Sequence, residues 1–271
     1  MQTLRAALQN EAGVTLDTAA LDLATIENPG LDPALHLQTL DAIAAELASR
    51  AGRTPDGRKF VRILNQHLIE ELGFQGNEEN YDDPRNSCLD QVLERRTGIP
   101  ITLSVVYIEV ARRLGWPIHG IGLPGHFVVR YEDSGYSTFI DPFHSGKLLT
   151  REECCELARG VTGVDITQDP EALAPVGSRY ILVRMLNNLR SSYFKAKNYG
   201  KAATVMDLLI EAFPEEADYY KARGIARLQL RSFGDAKRDL ELYLKYSPQA
   251  EDRAEVKRQL EAIHRWLGRL N

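Results

Sequence analysis

Apolar residues recur at helical spacing through the first eighty positions. Helices are expected over Asp17 to Ile26, over Pro33 to Ala51 with Leu35, Leu37, Leu40, Ile43, Ala44 and Leu47 in phase, and over Gly57 to Leu72 with Phe60, Ile63, Leu64, Leu68 and Leu72 on one face. Gly73 ends the last of these. The polar, turn-rich segment Asn80 to Ser87 follows, then a helix over Cys88 to Arg96 that stops by Gly98. Ser87 reads as its N-cap and Asp90 as the capping-box partner, which puts Cys88 at the first helical position. From Pro100 to Leu114 the apolar residues Leu103, Val105, Val106, Ile108, Val110, Ala111 and Leu114 cover nearly every side, the mark of a buried central helix opened by Pro100.

At Pro117 the period changes from helical to alternating. Strands are expected over Ile118 to Leu123, His126 to Tyr131 and Tyr136 to Ile140, the last two joined by the four-residue loop Glu132 to Gly135. A run of helices followed by a run of strands predicts an α+β domain. From Ser178 onward the pattern is helical again and repeats. Tyr199, Gly200, Ala202 and Pro214 recur 34 residues later as Phe233, Gly234, Ala236 and Pro248, the tetratricopeptide period. A last helix carrying Val256, Leu260, Ile263 and Leu267 on one face and Arg and Glu on the other would cap the stack. The expected organisation is a helical N-terminal region over 1–80, an α+β core over 81–165, and helical repeats with a capping helix over 178–271.

Composition narrows the partners. With 44% hydrophobic and 26% charged residues the chain is an ordinary globular one. A net charge of -5 gives no overall attraction to nucleic acid or anionic lipid, so neither is expected as a partner. No apolar run reaches 18 residues and the N-terminus lacks a signal-peptide core, so a cytoplasmic location is expected. Cys88, Cys154 and Cys155 are an odd number, two of them adjacent, and reduced thiols are expected. No CxxC, HExxH or His-rich spacing is present, so neither metal nor cofactor is expected.

One constellation carries candidate chemistry. If the hairpin closes symmetrically on Glu132 to Gly135, Tyr131 pairs with Tyr136, Val129 with Thr138, and His126 falls directly opposite Asp141. Opposed residues have Cβ atoms about 4.5 to 5.5 Å apart, within reach of an imidazole–carboxylate hydrogen bond. Such a pair suits a general base that activates a nucleophile, and Cys88 at a helix start is the candidate thiol. His144 reads as a loop residue, with lining of the same cleft as the alternative, Cys154 and Cys155 as packing, and Glu109 as a buried carboxylate in need of a partner such as Arg130.

The stretch Asn86 to Ser104 (NSCLDQVLERRTGIPITLS), Leu114-Gly115-Trp116-Pro117, Gly122 to His126 and Ile140-Asp141-Pro142-Phe143 together resemble the SirB family of bacteria, a transglutaminase-like domain followed by tetratricopeptide repeats. The resemblance covers nearly the whole chain and implies a papain-like core in which a Cys, a His and an Asp form the site. His126 and Asp141 match the Gly-His and Asp-Pro motifs of that pattern. The usual Gly-x-Cys falls on Gly98-Ile99-Pro100, so the nucleophile position is a proline, with Thr102 and Ser104 nearby and Cys88 one helix earlier. The favoured expectation is a pseudoenzyme or protein-interaction module that uses the cleft and the repeats to bind a protein or peptide. The alternatives are a thiol-dependent acyl-transfer enzyme using Cys88, His126 and Asp141, and a purely structural adaptor.

Overall fold

A computed structural model of the chain describes residues 1–51 and 56–267. These fall into two compact units, Met1–Met185 and Leu186–Asn271, of which the last four residues lie outside the description.

In the first unit the order is α1 (Gln2–Leu8), α2 (Leu16–Ala24), α3 (Pro33–Ala51), α4 (Gly57–Asn65), β1 (Gln75–Gly76), α5 (Leu89–Arg95), β2 (Thr97–Gly98), α6 (Pro100–Leu114), β3 (Ile118–Leu123), β4 (His126–Glu132), β5 (Ser137–Asp141), β6 (Lys147–Leu149), α7 (Arg151–Thr162) and β7 (Pro175–Val176). Helix α6 is the axis. Pro100 sits in its first turn, Gly115 ends it at a positive φ of 70°, and all its positions but Ile108 and the last three are buried. Helices α2, α3 and α5 and strands β3 and β4 pack against it. In α3 the predicted stripe holds for Leu40, Ile43, Ala44 and Leu47, whereas Leu35 is exposed. Helix α4 begins on Asp56, whose side chain accepts the Lys59 amide at 2.7 Å, and runs into a π-helical turn over Gln66–Glu71.

The sheet is antiparallel throughout, in the order β6-β5-β4-β3-β7. The β4–β5 hairpin forms as the alternation predicts, but its register differs. Tyr131 pairs with Thr138 and Val129 with Ile140, so the loop is Asp133 to Tyr136. The cause is Asp133, whose carboxylate accepts the amides of Gly135 and Tyr136 at 2.8 Å and pulls Glu132 into the ladder. A shift of two keeps every side chain on its face. One face of the sheet packs Ile121, Leu123, Val128, Phe139 and Leu149 against Cys154, Cys155 and Ala158 of α7, which Thr150 and Glu153 start with a reciprocal capping box.

The second unit contains α9 (Tyr199–Ala212), α10 (Ala217–Gln229), α11 (Phe233–Tyr246) and α12 (Arg253–Leu267), preceded by α8 (Ser178–Lys195), which begins in the first. Helices α9, α10, α11 and α12 each pack on the next. The repeat extends to the backbone. Lys197 and Arg231, 34 positions apart, both take a left-handed conformation, with φ of 55° and 59°, just before α9 and α11. Gly224 lets α10 approach α11, since a Cβ there would stand 3.1 Å from the Leu240 side chain. Val256 and Ile263 of α12 close the core on Tyr220, Leu240 and Tyr243, with Leu260 packed beside them.

Candidate functional site

His126 opens β4 and Asp141 ends β5. Continuing the observed register places Asp141 opposite Val128, so His126 is its diagonal neighbour on the same face. The contact forms nonetheless: His126 Nε2 and Asp141 Oδ2 lie 2.9 Å apart, and both residues are buried. The carboxylate is held at its other end as well. Asp141 Oδ1 accepts the backbone amides of Phe143 and His144 at 3.0 and 3.3 Å, an Asx turn built by the Asp-Pro-Phe-His sequence.

That turn brings in His144, for which a loop position was the first expectation and the cleft the second. His144 Nδ1 lies 2.7 Å from the same Asp141 Oδ2, and the His126 and His144 rings stack with centroids 5.4 Å apart. The spacing was the available signal: an Asx turn directs position i+3 back onto the side chain of position i. Burial pushes the Asp141 carboxyl up, but hydrogen bonds and charge from His126, then from His144, outweigh it and hold the group below its ordinary range.

The surroundings fix this trio. Phe143 meets the edge of the His126 ring at 6.0 Å and packs on Tyr81 at 5.9 Å. A Cβ on Gly76 would stand 2.6 Å from the Phe143 carbonyl, so only glycine fits beneath the turn. Asn65 bridges farther along: its amide donates to the Gly146 carbonyl at 2.7 Å and accepts from the Tyr107 hydroxyl at 2.9 Å. Arg184 donates to the Leu123 and His126 carbonyls at 2.9 and 3.0 Å, clamping the turn that leads into β4. Beside Asp141 and His144 opens a cavity of about 370 Å³, lined also by Lys147, Leu149, Glu153, Glu156 and Leu157.

Cys88 is placed differently from the expectation. Pro84–Ser87 forms a short 3-10 turn capped by Asp83, so Ser87 ends that turn and Cys88 itself is the N-cap of α5. Its side chain is fully buried, with Sγ 3.5 Å from the Pro84 carbonyl. Among the described residues, the His126–Asp141–His144 donor atoms lie within 4.8 Å of one another, and Cys88 Sγ is not in that group. Asn86 orders this start: its amide donates to the Asn80 and Tyr81 carbonyls, and its own carbonyl accepts the Ile99 amide. Of the other candidates, Cys154 carries a thiol that burial pushes up to about 12, with Asp141 adding to the effect, so it stays neutral. The buried hydroxyls of Thr102 and Ser104 have no hydrogen-bond partner among the described residues. Glu109 is partnered within its own helix by Arg112 at 2.7 Å and Arg113 at 3.0 Å, while Arg130 pairs with Glu132.

Among the described residues two clusters have the donors to hold a metal ion: His126, Asp141 and His144, and Glu46, His67 and Glu71. All three cysteines are buried thiols outside any disulfide. Among the described residues no helix is long and apolar enough to cross a membrane.

Comparison with known proteins places this architecture. The Transglutaminase-like superfamily profile matches residues 35–187, and a tetratricopeptide-repeat profile matches residues 189–261. A UPF0162 protein of Xylella fastidiosa (strain 9a5c) is 38% identical over 236 residues, covering 86% of this chain and 84% of its own. A UPF0162 protein of Vibrio cholerae is 29% identical over 222 residues, 81% of this chain and 80% of its own. F-box only protein 21 of Homo sapiens is 32% identical over 169 residues, 58% of this chain but 26% of that protein. The chain belongs to the UPF0162 family, in which a transglutaminase-like α+β domain precedes tetratricopeptide repeats.

Proposed function

We propose that this protein is a transglutaminase-like pseudoenzyme that works as a protein-interaction module, presenting its cleft and its helical repeats to a protein or peptide partner. The observation that carries the reading is Pro100 at the start of α6, in a domain whose His126 and Asp141 are paired. Acyl transfer needs a nucleophile within hydrogen-bond reach of the base. Here α6 begins with Pro100, which has no nucleophilic atom, at the position where the resemblance places the usual thiol. The tetratricopeptide match supports interaction in general, because such arrays bind extended segments along their surface. Three buried thiols and a net charge of -5 are consistent with a cytoplasmic protein that meets other proteins rather than nucleic acid.

The test uses the full chain in two arms. An electrophilic thiol probe near neutral pH is expected to leave Cys88 unlabelled in both the native protein and His126→Ala. Rapid labelling of Cys88 that disappears in His126→Ala would establish the Cys88–His126–Asp141 enzyme instead. In the second arm, affinity capture from a cell extract is compared between the native protein and a variant carrying Ile225→Asp and Leu230→Asp, two exposed apolar side chains of the repeats. Loss of partners in the variant is expected, and an unchanged set rules out the repeats as the binding surface.

A further inference from the structure

We propose that His126, Asp141 and His144 form a binding site for a divalent transition-metal ion, with zinc the ion that its donors suit. The site holds two imidazole nitrogens and one carboxylate oxygen, the set used by mononuclear centres that keep open positions. The separations fit. Donors on a tetrahedral ion bound at roughly 2.0 to 2.2 Å stand about 3.3 Å apart; the two nitrogens lie 2.9 and 2.7 Å from Asp141 Oδ2, all three atoms are within 4.8 Å of one another, and a shift of about half an ångström would seat the ion.

The donors are also pinned by groups other than an ion. Two backbone amides fix Asp141 through Oδ1, and Arg184 fixes the His126 backbone. Outer contacts of this kind set the orientation of metal ligands and their affinity. The three residues come from a strand start, a strand end and a turn, so a bound ion would tie those segments together. On the open side lies the 370 Å³ cavity, where Glu153 and Glu156 add negative charge and the Lys147 ammonium is paired with Glu153 at 3.3 Å. Water or a small anionic group could take the remaining positions from there.

The second cluster lacks these properties. At Glu46, His67 and Glu71 the Arg50 guanidinium pairs with both carboxylates, so a positive charge already occupies the approach. Without an ion, both imidazoles at the first site must donate a proton to one carboxylate oxygen. A metal would take the place of those two protons, each ring proton moving to the nitrogen that faces away from the ion, since neutral imidazole is the ligand form. The inference stands apart from the interaction reading, since a metal centre at the trio neither requires a partner nor supplies a thiol.

The test is a titration of Co²⁺, as a spectroscopic probe, into the full-length protein after treatment with a chelator. One equivalent is expected to produce visible ligand-field absorption that Zn²⁺ abolishes. His144→Ala and His144→Gln, changes at the exposed member of the trio, are expected to lower the affinity at least tenfold with an unaltered circular-dichroism spectrum. Glu71→Gln, at the other cluster, is expected to change nothing. Absence of the band in the native protein, a band insensitive to both His144 substitutions, or a band lost in Glu71→Gln would each overturn the proposal. None of these outcomes bears on thiol labelling or partner capture, so the two ideas fail separately.

Discussion

His126 reaches Asp141 along the diagonal of the β4–β5 ladder, and the carboxylate it meets is already gripped by two backbone amides and a second imidazole. All four contacts want an acceptor. Asp141→Asn supplies one acceptor oxygen in place of two, so either the turn amides or the imidazoles must face an NH₂ group. The expected cost is about 2 to 4 kcal/mol of folding stability, because the charge-assisted hydrogen bonds of the carboxylate are lost and both rings must change tautomer to accept from the NH₂ group. Urea unfolding of the two proteins at neutral pH measures it. A cost under about 1 kcal/mol, the net worth of one ordinary hydrogen bond, would mean that the carboxylate does not organise the turn.

Buried Glu109 shares a cluster with buried Asp17, with Arg112 and Arg113, and with the exposed Asp41, three acids against two guanidinium groups. Burial first, and then the charge of Asp17, push its carboxyl up to about 7, against the pull of Arg112. A raised value means that the fold favours the protonated form. That contribution is complete below the unfolded value near 4.5 and is lost as pH rises through about 7. Glu109→Gln, which mimics the protonated group, is therefore expected to be more stable than the native protein at pH 8, by an amount on the order of 2 kcal/mol. The difference should shrink toward pH 5. Thermal melts across that range give the comparison, and a native protein more stable at pH 8 would reverse the assignment.

In the repeats, buried Asp239 accepts two hydrogen bonds from Arg223, at 3.0 and 2.7 Å, and one from Arg227 at 2.9 Å. Removing the acid leaves Arg223 with Asp207 alone on the outer side. Asp239→Ala is expected to cost roughly 3 to 5 kcal/mol, the usual penalty for breaking a buried pair from one end. Loss of helical circular dichroism on heating reads this directly. Arg238→Ala, at an exposed pair with Asp235, serves as the control and is expected to change little.

Lys197 and Arg231 make the opposite kind of prediction. Both hold a left-handed conformation that costs a side-chain-bearing residue about 1 to 2 kcal/mol. Lys197→Gly and Arg231→Gly should each raise stability by up to about 1 kcal/mol, part of the gain being offset by the freer unfolded chain. Equal effects at the two sites are expected, since the turns repeat. A loss at either would show that its side chain contributes more than its backbone costs.

Features that depend on local pattern were legible in the sequence. The all-round apolar run of Pro100 to Leu114 gave the central helix, the alternation around Gly135 gave a hairpin, and the 34-residue spacing gave the repeats. What escaped was decided by single polar side chains. Asp133 capped the loop and moved the register by two, which left His126 and Asp141 on one face only because the shift was even. Asp83 capped an unexpected 3-10 turn that took Ser87 away from α5 and made Cys88 the cap. His144 entered the site through an Asx turn, a geometry that hydrophobic periodicity does not encode. Glu109 found its arginines three and four residues on in its own helix, where Arg130 across the domain had been expected.

The amide of Asn65 has a practical implication. It links the turn beyond His144 to the central helix from a position well before residue 81, and Gly76 makes room for Phe143 from the same region. A fragment cut to begin at residue 81 would keep every candidate catalytic residue yet lose the strut and the recess that seat their loop. Any shortened form made for binding or labelling work should retain the N-terminal helices, because the ordering of the trio is borrowed from them.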